Sequence, residues 1–168
     1  MPNYRRYYIP GHSIFLAITT RNRVNWLAND QHVQILLQAI RRAKTKYPLK
    51  HIAHVILPDH LHWILHPVEN TNFSDLIGGV KHDATWRLKE SGKSGPFWQK
   101  RLYDHIIRDG KDFGRHLDDV HYDPVKHGYA SQPKEYCWSA FQEWVKRGVY
   151  DEWWGKKDPD WAKDMDLE

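Results

Sequence analysis

The chain has 168 residues, of which 40% are hydrophobic and 27% are charged. This balance is typical of a soluble globular chain and excludes a disordered one. No apolar run approaches the roughly 18 residues of a membrane-spanning helix, and the basic start is not followed by an apolar segment with a cleavage site. We therefore expect a cytoplasmic protein with no signal peptide and no membrane partner. The single cysteine, Cys137, excludes an internal disulfide and a cysteine-based zinc site.

The charge and the unusual side chains give a first indication of the partner. A net charge of +4 and a pI near 9.1 favour a polyanion. Nine Trp and nine Tyr beside basic residues suit stacking on unpaired bases, although in a domain of this size such rings also fill the core. Twelve His justify a search for metal ligands.

The first predicted elements are a strand and a helix. Residues 13–20 are rich in branched and aromatic side chains and are predicted to form a buried strand. Asn29-Asp30 is a helix N-cap signal, and the helix should end near Tyr47-Pro48. Its apolar face follows the spacing i, i+3, i+4 and i+7. The residues on that face are Val33, Leu36, Leu37 and Ile40.

The next elements are two strands, a helix and a further strand. Residues 49–57 are predicted to form a strand, Pro58-Asp59 a turn, and residues 60–66 the following strand. A helix starts near Asn72, and residues 103–108 form the fourth strand.

A third helix should begin at about Asp112 and be closed by Pro124 and Gly128. The order β-α-β-β-α-β followed by a helix predicts an α+β fold of the ferredoxin-like, split βαβ type. We expect a four-stranded antiparallel sheet with helices on one face, plus an extra C-terminal helix and tail. We expect one domain over residues 1–168, with its core at about 10–128 and a tail over 129–168 that packs through its tryptophans.

His60 and His62 are the best candidates for metal ligands. Because strand residues i and i+2 point to the same face, the two imidazoles project together, while Leu61 and its same-face neighbours point to the core. Two imidazoles at this spacing can occupy adjacent positions on one ion, and a third ligand must come from elsewhere. His66 is about 13 Å further along the strand and too far to share the ion. A His-x-His pair by itself also occurs as two partly exposed strand residues.

Several longer motifs follow one another in the chain. They are Tyr4-Arg5-Arg6-Tyr7-Tyr8, Thr20-Arg21-Asn22-Arg23, Leu57-Pro58-Asp59-His60-Leu61-His62, Phe97-Trp98-Gln99-Lys100-Arg101, Asp104-His105, Ile107-Arg108, Asp123-Pro124-Val125-Lys126-His127-Gly128 and Trp138-Ser139 with Phe141. In this order they resemble the REP-associated tyrosine transposases, a branch of the single-tyrosine HUH transposases, and the resemblance runs from end to end.

The resemblance implies a function in DNA transposition and recombination. In that family a divalent metal, Mg or Mn, is held by the two histidines and a polar third ligand, and a helix-borne tyrosine attacks a phosphate of single-stranded DNA. The attack leaves a 5′-phosphotyrosine link and a free 3′-OH. The DNA is a hairpin-forming repeat, the REP element, of the bacterial chromosome. The resemblance therefore implies a protein of the nucleoid, acting as a monomer.

The resemblance also assigns roles to residues of this chain. It makes His60, His62 and Asp123 the metal ligands. A further set of basic residues, several of them in the matched motifs, is expected to contact the DNA backbone, which positions DNA without reading its sequence. That set is Arg5, Arg6, Arg21, Arg23, Lys100, Arg101, Lys126 and His127.

The sequence departs from the family at two positions of the third helix. The family's tyrosine lies four residues before the Asn of Asn-Pro-Val, where this chain has Asp119, and the Asn itself is replaced by Asp123. An aspartate cannot form the phosphotyrosine link. Asp123, in contrast, brings a charge that makes it a better ligand than Asn for a hard divalent ion. Asp119 and Asp123 lie at i and i+4 on one helical face and together would strengthen the metal site.

Three interpretations of Asp119 remain open. Tyr122 can supply the hydroxyl instead, from a position about 60° and 4.5 Å away along the helix. Alternatively the protein binds single-stranded or hairpin DNA without cutting it, or the aspartate serves an altered chemistry such as metal-assisted hydrolysis. A metal-binding protein without a DNA role is the remaining alternative. We therefore expect binding of hairpin DNA and metal, and the sequence does not decide whether cleavage is retained.

Overall fold

A four-stranded antiparallel sheet forms the centre of the computed structural model, which describes residues 11–68 and 70–156. The strands are β1 (Ile14–Thr19), β2 (Leu49–Leu57), β3 (His60–Pro67) and β4 (Tyr103–Ile106), in the order β2-β3-β1-β4. The helices are α1 (Asp30–Lys46), α2 (Phe73–Glu90), α3 (Gly110–Lys126) and the short α4 (Phe141–Lys146). Because β3 lies between β1 and β2, the first βαβ unit is split, as the sequence predicts.

The two faces of the sheet carry two separate hydrophobic clusters. On one face α1 and α2 cover Leu61, Trp63 and Leu65 of β3, which confirms the predicted direction of these side chains. On the other face α3 and the C-terminal segment, which is described over residues 129–156, cover residues such as Phe15 and Ile64. Each large side chain removed from water contributes roughly 1.5–3 kcal/mol to folding. The histidines of β3 share the second face, beneath α3.

Asparagine caps fix where α1 and α2 begin. The side chain of Asn29 accepts hydrogen bonds from the backbone N–H groups of Gln31 and His32. Asn72 does the same for Ser74 and Asp75. These bonds satisfy amide groups that a helix start otherwise leaves without partners. Both helix starts are therefore where the sequence predicts them.

The prediction that Pro124 helps to close α3 is wrong. Pro124 lies inside the helix, which continues to Lys126. Gly128 then adopts a left-handed conformation with φ 77°, which glycine reaches without steric cost. The backbone carbonyl of residue 124 accepts a hydrogen bond from the N–H of Tyr129 at 2.8 Å, a bond that does not depend on the proline ring. The helix also begins at Gly110, two residues before the predicted start, because Asp109 caps the N–H of Asp112.

The C-terminal segment covers the outer edge of β2. The N–H of Ala140 donates to the carbonyl of His54, the N–H of Ile56 donates to that of Trp138, and the Trp144 indole donates to that of Ile52. Open strand edges favour pairing with other chains, so this cover protects the sheet. Within the described ranges, no helix is long and apolar enough to cross a bilayer.

Candidate metal centre and the adjoining groove

Two buried histidines on β3 form one side of the candidate centre. His60 and His62 are 2% and 1% exposed, and their ring centroids lie 4.6 Å apart. Strand alternation places both rings on the face covered by α3. The Nε2 of His62 lies 3.1 Å from an Asp123 oxygen, but within the described part of the chain neither ring nitrogen makes a well-formed hydrogen bond. A buried imidazole without a well-formed hydrogen bond is costly, so this site favours a cation that can accept a lone pair from one of its nitrogens.

One face of α3 forms the other side of the centre. Asp119, Asp123 and His127 follow one another at intervals of four, so all three side chains lie along the same face of the helix. The Asp123 carboxylate lies 2.9 Å from His60 Nε2 and 3.1 Å from His62 Nε2. Its second oxygen lies 3.1 Å from His127 Nε2. Three imidazoles therefore converge on one carboxylate.

The ligand set fits a divalent cation. Imidazole nitrogens and carboxylate oxygens are common ligands of Zn, Mn and related ions. Ligand atoms of His60, Asp123 and His127 all lie within 4.8 Å of one another. The spacing of four residues between Asp123 and His127 is visible in the sequence and could have identified His127 as part of this cluster. The sequence motifs led only to the prediction that His127 contacts DNA.

Charge pairing perturbs the groups of this centre. Burial by itself raises the pKa of Asp123, but the surrounding His62, His127 and His60 hold it well below its usual range. Burial lowers the pKa of His60, but the carboxylates of Asp123 and Asp59 outweigh this effect and raise it. The two carboxylates therefore shift His60 towards its protonated form, in which both ring nitrogens donate to carboxylates.

Asp59 fixes the orientation of His60. The His60 Nδ1–H donates to Asp59 Oδ1 at 2.7 Å, which directs Nε2 towards Asp123. The Arg23 guanidinium donates to the other Asp59 oxygen at 3.4 Å. Outer carboxylates of this kind hold a ligating histidine in one tautomer and one ring position. The turn Pro58-Asp59 thus contributes to the site as well as to the chain reversal.

Asp119 is buried beside the same centre. It is 3% exposed, and burial raises its pKa from 3.8 to about 6, partly opposed by the charge of His62 and reinforced by that of Asp123. The side chain of Asp119 therefore lies inside the fold and not on the solvent-exposed face of α3.

A groove of about 270 Å³ opens beside the two histidines. Its walls come from β1, β3 and β4 and from the residues that precede β4. The side chains that line it include Thr19, Arg23, Gln99, Arg101 and Tyr103, together with His60 and His62. Two cations on the rim give the groove a positive character that suits an anion.

Comparisons with known proteins identify the family. Residues 9–107, more than half of the chain, match the family described as transposase IS200 like. A REP-associated tyrosine transposase of Escherichia coli strain K12 is 35% identical over 167 residues, covering 98% of this chain and 93% of that protein. The chain is a member of the REP-associated tyrosine transposase family. The resemblance found in the sequence is thereby confirmed.

Two further members support this assignment. A Haemophilus influenzae relative in the same transposase group is 33% identical over 166 residues, covering 92% of this chain and 94% of that protein. The solved structure of a REP-associated tyrosine transposase bound to a REP hairpin has a TM-score of 0.82 and 34% identity, and the match covers 95% of this chain and 96% of that one. The chain therefore has the α+β fold that its sequence predicts, and it shares this fold with a solved member of its family.

Tyr122, the alternative candidate for the nucleophile, packs against the C-terminal segment. Its ring contacts Trp154 edge to face, with centroids 6.3 Å apart, and it is 3% exposed. Because successive helix residues are rotated by about 100°, Tyr122 cannot share the helix face of Asp123. The tertiary structure uses this tyrosine to dock the C-terminal segment on α3.

A second histidine cluster is a hydrogen-bond hub that ties β4 to α3. One oxygen of Asp112 accepts from His105 at 2.8 Å and from the backbone N–H of Arg108 at 2.9 Å. His116 donates from Nδ1 to the Asp112 carbonyl at 2.8 Å. The rings of His105 and His116 are stacked nearly parallel, with 15° between their planes. Since imidazole lone pairs lie in the ring plane, stacked rings are poorly placed to share one ion, although the three residues are close enough to hold one.

The basic residues predicted to contact DNA are not all near the groove. Arg5 and Arg6 lie outside the described residues. Arg23 and Arg101 line the groove. Arg21 and Lys100 are exposed and lie close to these two residues in the sequence. Lys126 lies at the end of α3, and His127 contacts Asp123.

Proposed function

We propose that this transposase-family protein binds hairpin-forming, REP-type DNA through an unpaired segment and holds a divalent metal at His60, His62 and Asp123. We further propose that it is impaired in cleavage, because Asp119 stands in the place of the attacking tyrosine. The observation that carries the proposal is the convergence of His60 and His62 on Asp123, at 2.9 and 3.1 Å, next to a groove with arginines on its rim.

The chemistry of the centre supports a metal. When bound, Mg or Mn would polarise a phosphate oxygen as a Lewis acid. His60 and His62 offer two neutral nitrogen ligands once His60 has lost a proton, and Asp123 offers a charged oxygen. A nearby cation would accept the lone pair of one His62 nitrogen, and it would offset the repulsion between the buried carboxylates of Asp119 and Asp123.

The DNA partner is supported by a relative. A family member with 34% identity is described as bound to a REP hairpin. In this chain the groove beside His60 and His62 has space for a single strand, and Arg23 and Arg101 would contact its phosphates. A protein that acts on repeats of the bacterial chromosome would be located in the cytoplasm, at the nucleoid.

A carboxylate at position 119 is a poor replacement for tyrosine as the covalent nucleophile. The family's reaction stores the phosphodiester energy in a phosphotyrosine link, whereas attack by an aspartate would give an acyl phosphate that water hydrolyses readily. Asp119 also adds negative charge where a DNA phosphate would have to approach. The second candidate function is an active transposase that uses Tyr122, and the packing of Tyr122 against Trp154 argues against it.

The decisive experiment is a search for a covalent adduct. A labelled hairpin with a single-stranded 5′ flank is incubated with Mn²⁺ and the protein, and the products are separated under denaturing conditions. We expect no adduct from the natural chain and an adduct from D119Y, or from D119Y combined with D123N. D119F is the matched control, since it has the ring without the hydroxyl. An adduct from the natural chain that is lost in Y122F would establish Tyr122 as nucleophile and refute the proposal.

The metal and the DNA role have separate tests. Isothermal titration with Mn²⁺ should give one site in the natural chain and none in the H60A/H62A double variant. Binding of the hairpin should weaken steeply with salt, because phosphate contacts release counterions. Absence of salt-sensitive binding would leave only the metal-binding alternative. We also propose that the protein acts as a monomer, which light scattering after size exclusion would test.

A further inference from the structure

Tyr103 is exposed on the rim of the groove, and the mechanism above gives it no role. It is the first residue of β4, it is 44% exposed, and it lines the groove together with His60 and His62. Exposed aromatic rings also occur elsewhere on this chain, for example at Trp86 and Trp153, so exposure by itself indicates no function. What distinguishes Tyr103 is that its ring lines the groove beside the two histidines.

The register of the sheet places Tyr103 and His62 on one row. Ala17 of β1 is directly opposite Tyr103 on β4 and directly opposite His62 on β3. Residues opposite one another in an antiparallel sheet share a face, so the three side chains lie side by side. Strands are spaced by about 4.8 Å, so roughly 10 Å separates the backbones of Tyr103 and His62. The side chain of Ala17 is small and forms the floor of the groove.

A neighbouring ring holds Tyr103 in place. Phe15 contacts Tyr103 edge to face, with centroids 6.2 Å apart, and the other side of Phe15 stacks on His62 at 5.2 Å. Phe15 is fully buried, so this contact restrains the inner part of the Tyr103 ring while its outer part stays in solvent. A ring that is held in advance loses little conformational entropy when a flat ligand stacks on it.

The groove has the size and charge for one nucleotide. Its volume of about 270 Å³ is near the lower end of the range for small-molecule sites, which is about 300–1,000 Å³. The Arg23 and Arg101 side chains lie on the same groove and suit a phosphate, while Gln99 offers an amide to a base edge. Aromatic faces beside arginines form stacking sites for unpaired bases.

We infer that Tyr103 is the stacking platform for an unpaired DNA base in the groove over Ala17, with the phosphate of that nucleotide held by Arg23 and Arg101 beside His62. The inference rests on the proposed function and names the side chain that would hold an unpaired base of the hairpin's flank in the groove.

The test compares four DNAs in EDTA, so that no strand is cut. They are a hairpin with a four-nucleotide flank at its 5′ end, the same hairpin with the flank at its 3′ end, the hairpin without a flank, and the hairpin with an abasic flank. The variants are Y103L, which removes the ring, Y103F, which keeps it, and W86L as matched control. Trp86 is 53% exposed but belongs to α2, on the opposite face of the sheet.

Fluorescence anisotropy gives the dissociation constants. Y103L should weaken binding of the flanked hairpin by roughly 5- to 150-fold, which corresponds to about 1–3 kcal/mol for one stacked base, and should leave the flankless and abasic hairpins unchanged. Y103F and W86L should stay within about twofold. Equal losses for Y103F and Y103L would show a hydroxyl contact, and an unchanged Kd for Y103L would show no contact. Either result overturns the inference.

A measurement on the natural protein covers the case in which Y103L does not fold. 2-Aminopurine is placed at each flank position in turn, and its fluorescence should be quenched at one position on binding. No quenching at any position, with the hairpin still bound, contradicts the stacking site. No binding of any hairpin by the natural chain contradicts the proposed function itself, so the two failures are distinguishable.

Discussion

Replacing Asp119 by Asn removes a buried charge and should stabilise the metal-free protein more as the pH rises. The variant keeps the size and shape of the side chain, so packing around α3 changes little. Burial raises the Asp119 pKa from 3.8 to about 6, which means that the folded chain holds this proton more tightly than the unfolded chain does. D119N has no such group and therefore has no such penalty.

The size of the effect follows from linkage. Between pH 3.8 and about 6 the folded chain binds more protons at this site than the unfolded chain, so the free energy of unfolding falls as the pH rises. At about 1.4 kcal/mol for each pH unit of difference, the loss reaches about 3 kcal/mol and is complete above pH 6. The stability gap between D119N and the natural chain should therefore grow by about 2–3 kcal/mol from pH 4 to pH 7 and then remain constant.

Urea unfolding followed by tryptophan fluorescence measures this gap at each pH, in EDTA. Other titrating groups are common to both chains and cancel in the difference. D75N is the control, since Asp75 is exposed in the first turn of α2 and its removal should change stability by less than about 1 kcal/mol at any pH. If the difference in unfolding free energy between D119N and the natural chain does not change with pH, burial does not raise the pKa of Asp119. Saturating Mn²⁺ should narrow the gap if the ion lies near Asp119.

Two further predictions concern the other aspartates. D59A frees the ring of His60 and should weaken Mn²⁺ binding by about 10–100-fold in isothermal titration. The control D83A, which loses a surface ion pair with an arginine, should leave the Mn²⁺ affinity unchanged. If D59A binds Mn²⁺ as tightly as the natural chain does, Asp59 does not orient His60. D112A leaves the donors of the β4–α3 hub without an acceptor and should cost about 3 kcal/mol in urea unfolding at pH 7. Burial raises the Asp112 pKa, but the N–H of Arg108 and the other donors outweigh it and lower the pKa, so its contribution is present above pH 3.8 and is lost as the pH falls further. The difference in unfolding free energy between D112A and the natural chain should accordingly shrink in acid, and a difference as large at pH 2 as at pH 7 would contradict the ionic character of the hub.

The sequence by itself determined the elements and the family. Period-two and period-3.6 patterns located the strands and helices, and Asn29 and Asn72 marked two helix starts, because capping depends only on neighbouring residues. Alternation along a strand was enough to place His60 and His62 on one face. Several motifs in fixed order then led to the transposase family.

Only the tertiary structure decided which residues meet. Local spacing says that Asp119, Asp123 and His127 share a face of α3, but not that this face lies on the histidines of β3, because the packing of a helix on a sheet depends on both surfaces at once. The same packing turns Tyr122 towards Trp154, keeps Pro124 inside the helix and joins His105 to Asp112, seven residues away. The row of Tyr103, Ala17 and His62 depends on strand register, which is set by pairing between segments far apart in the chain.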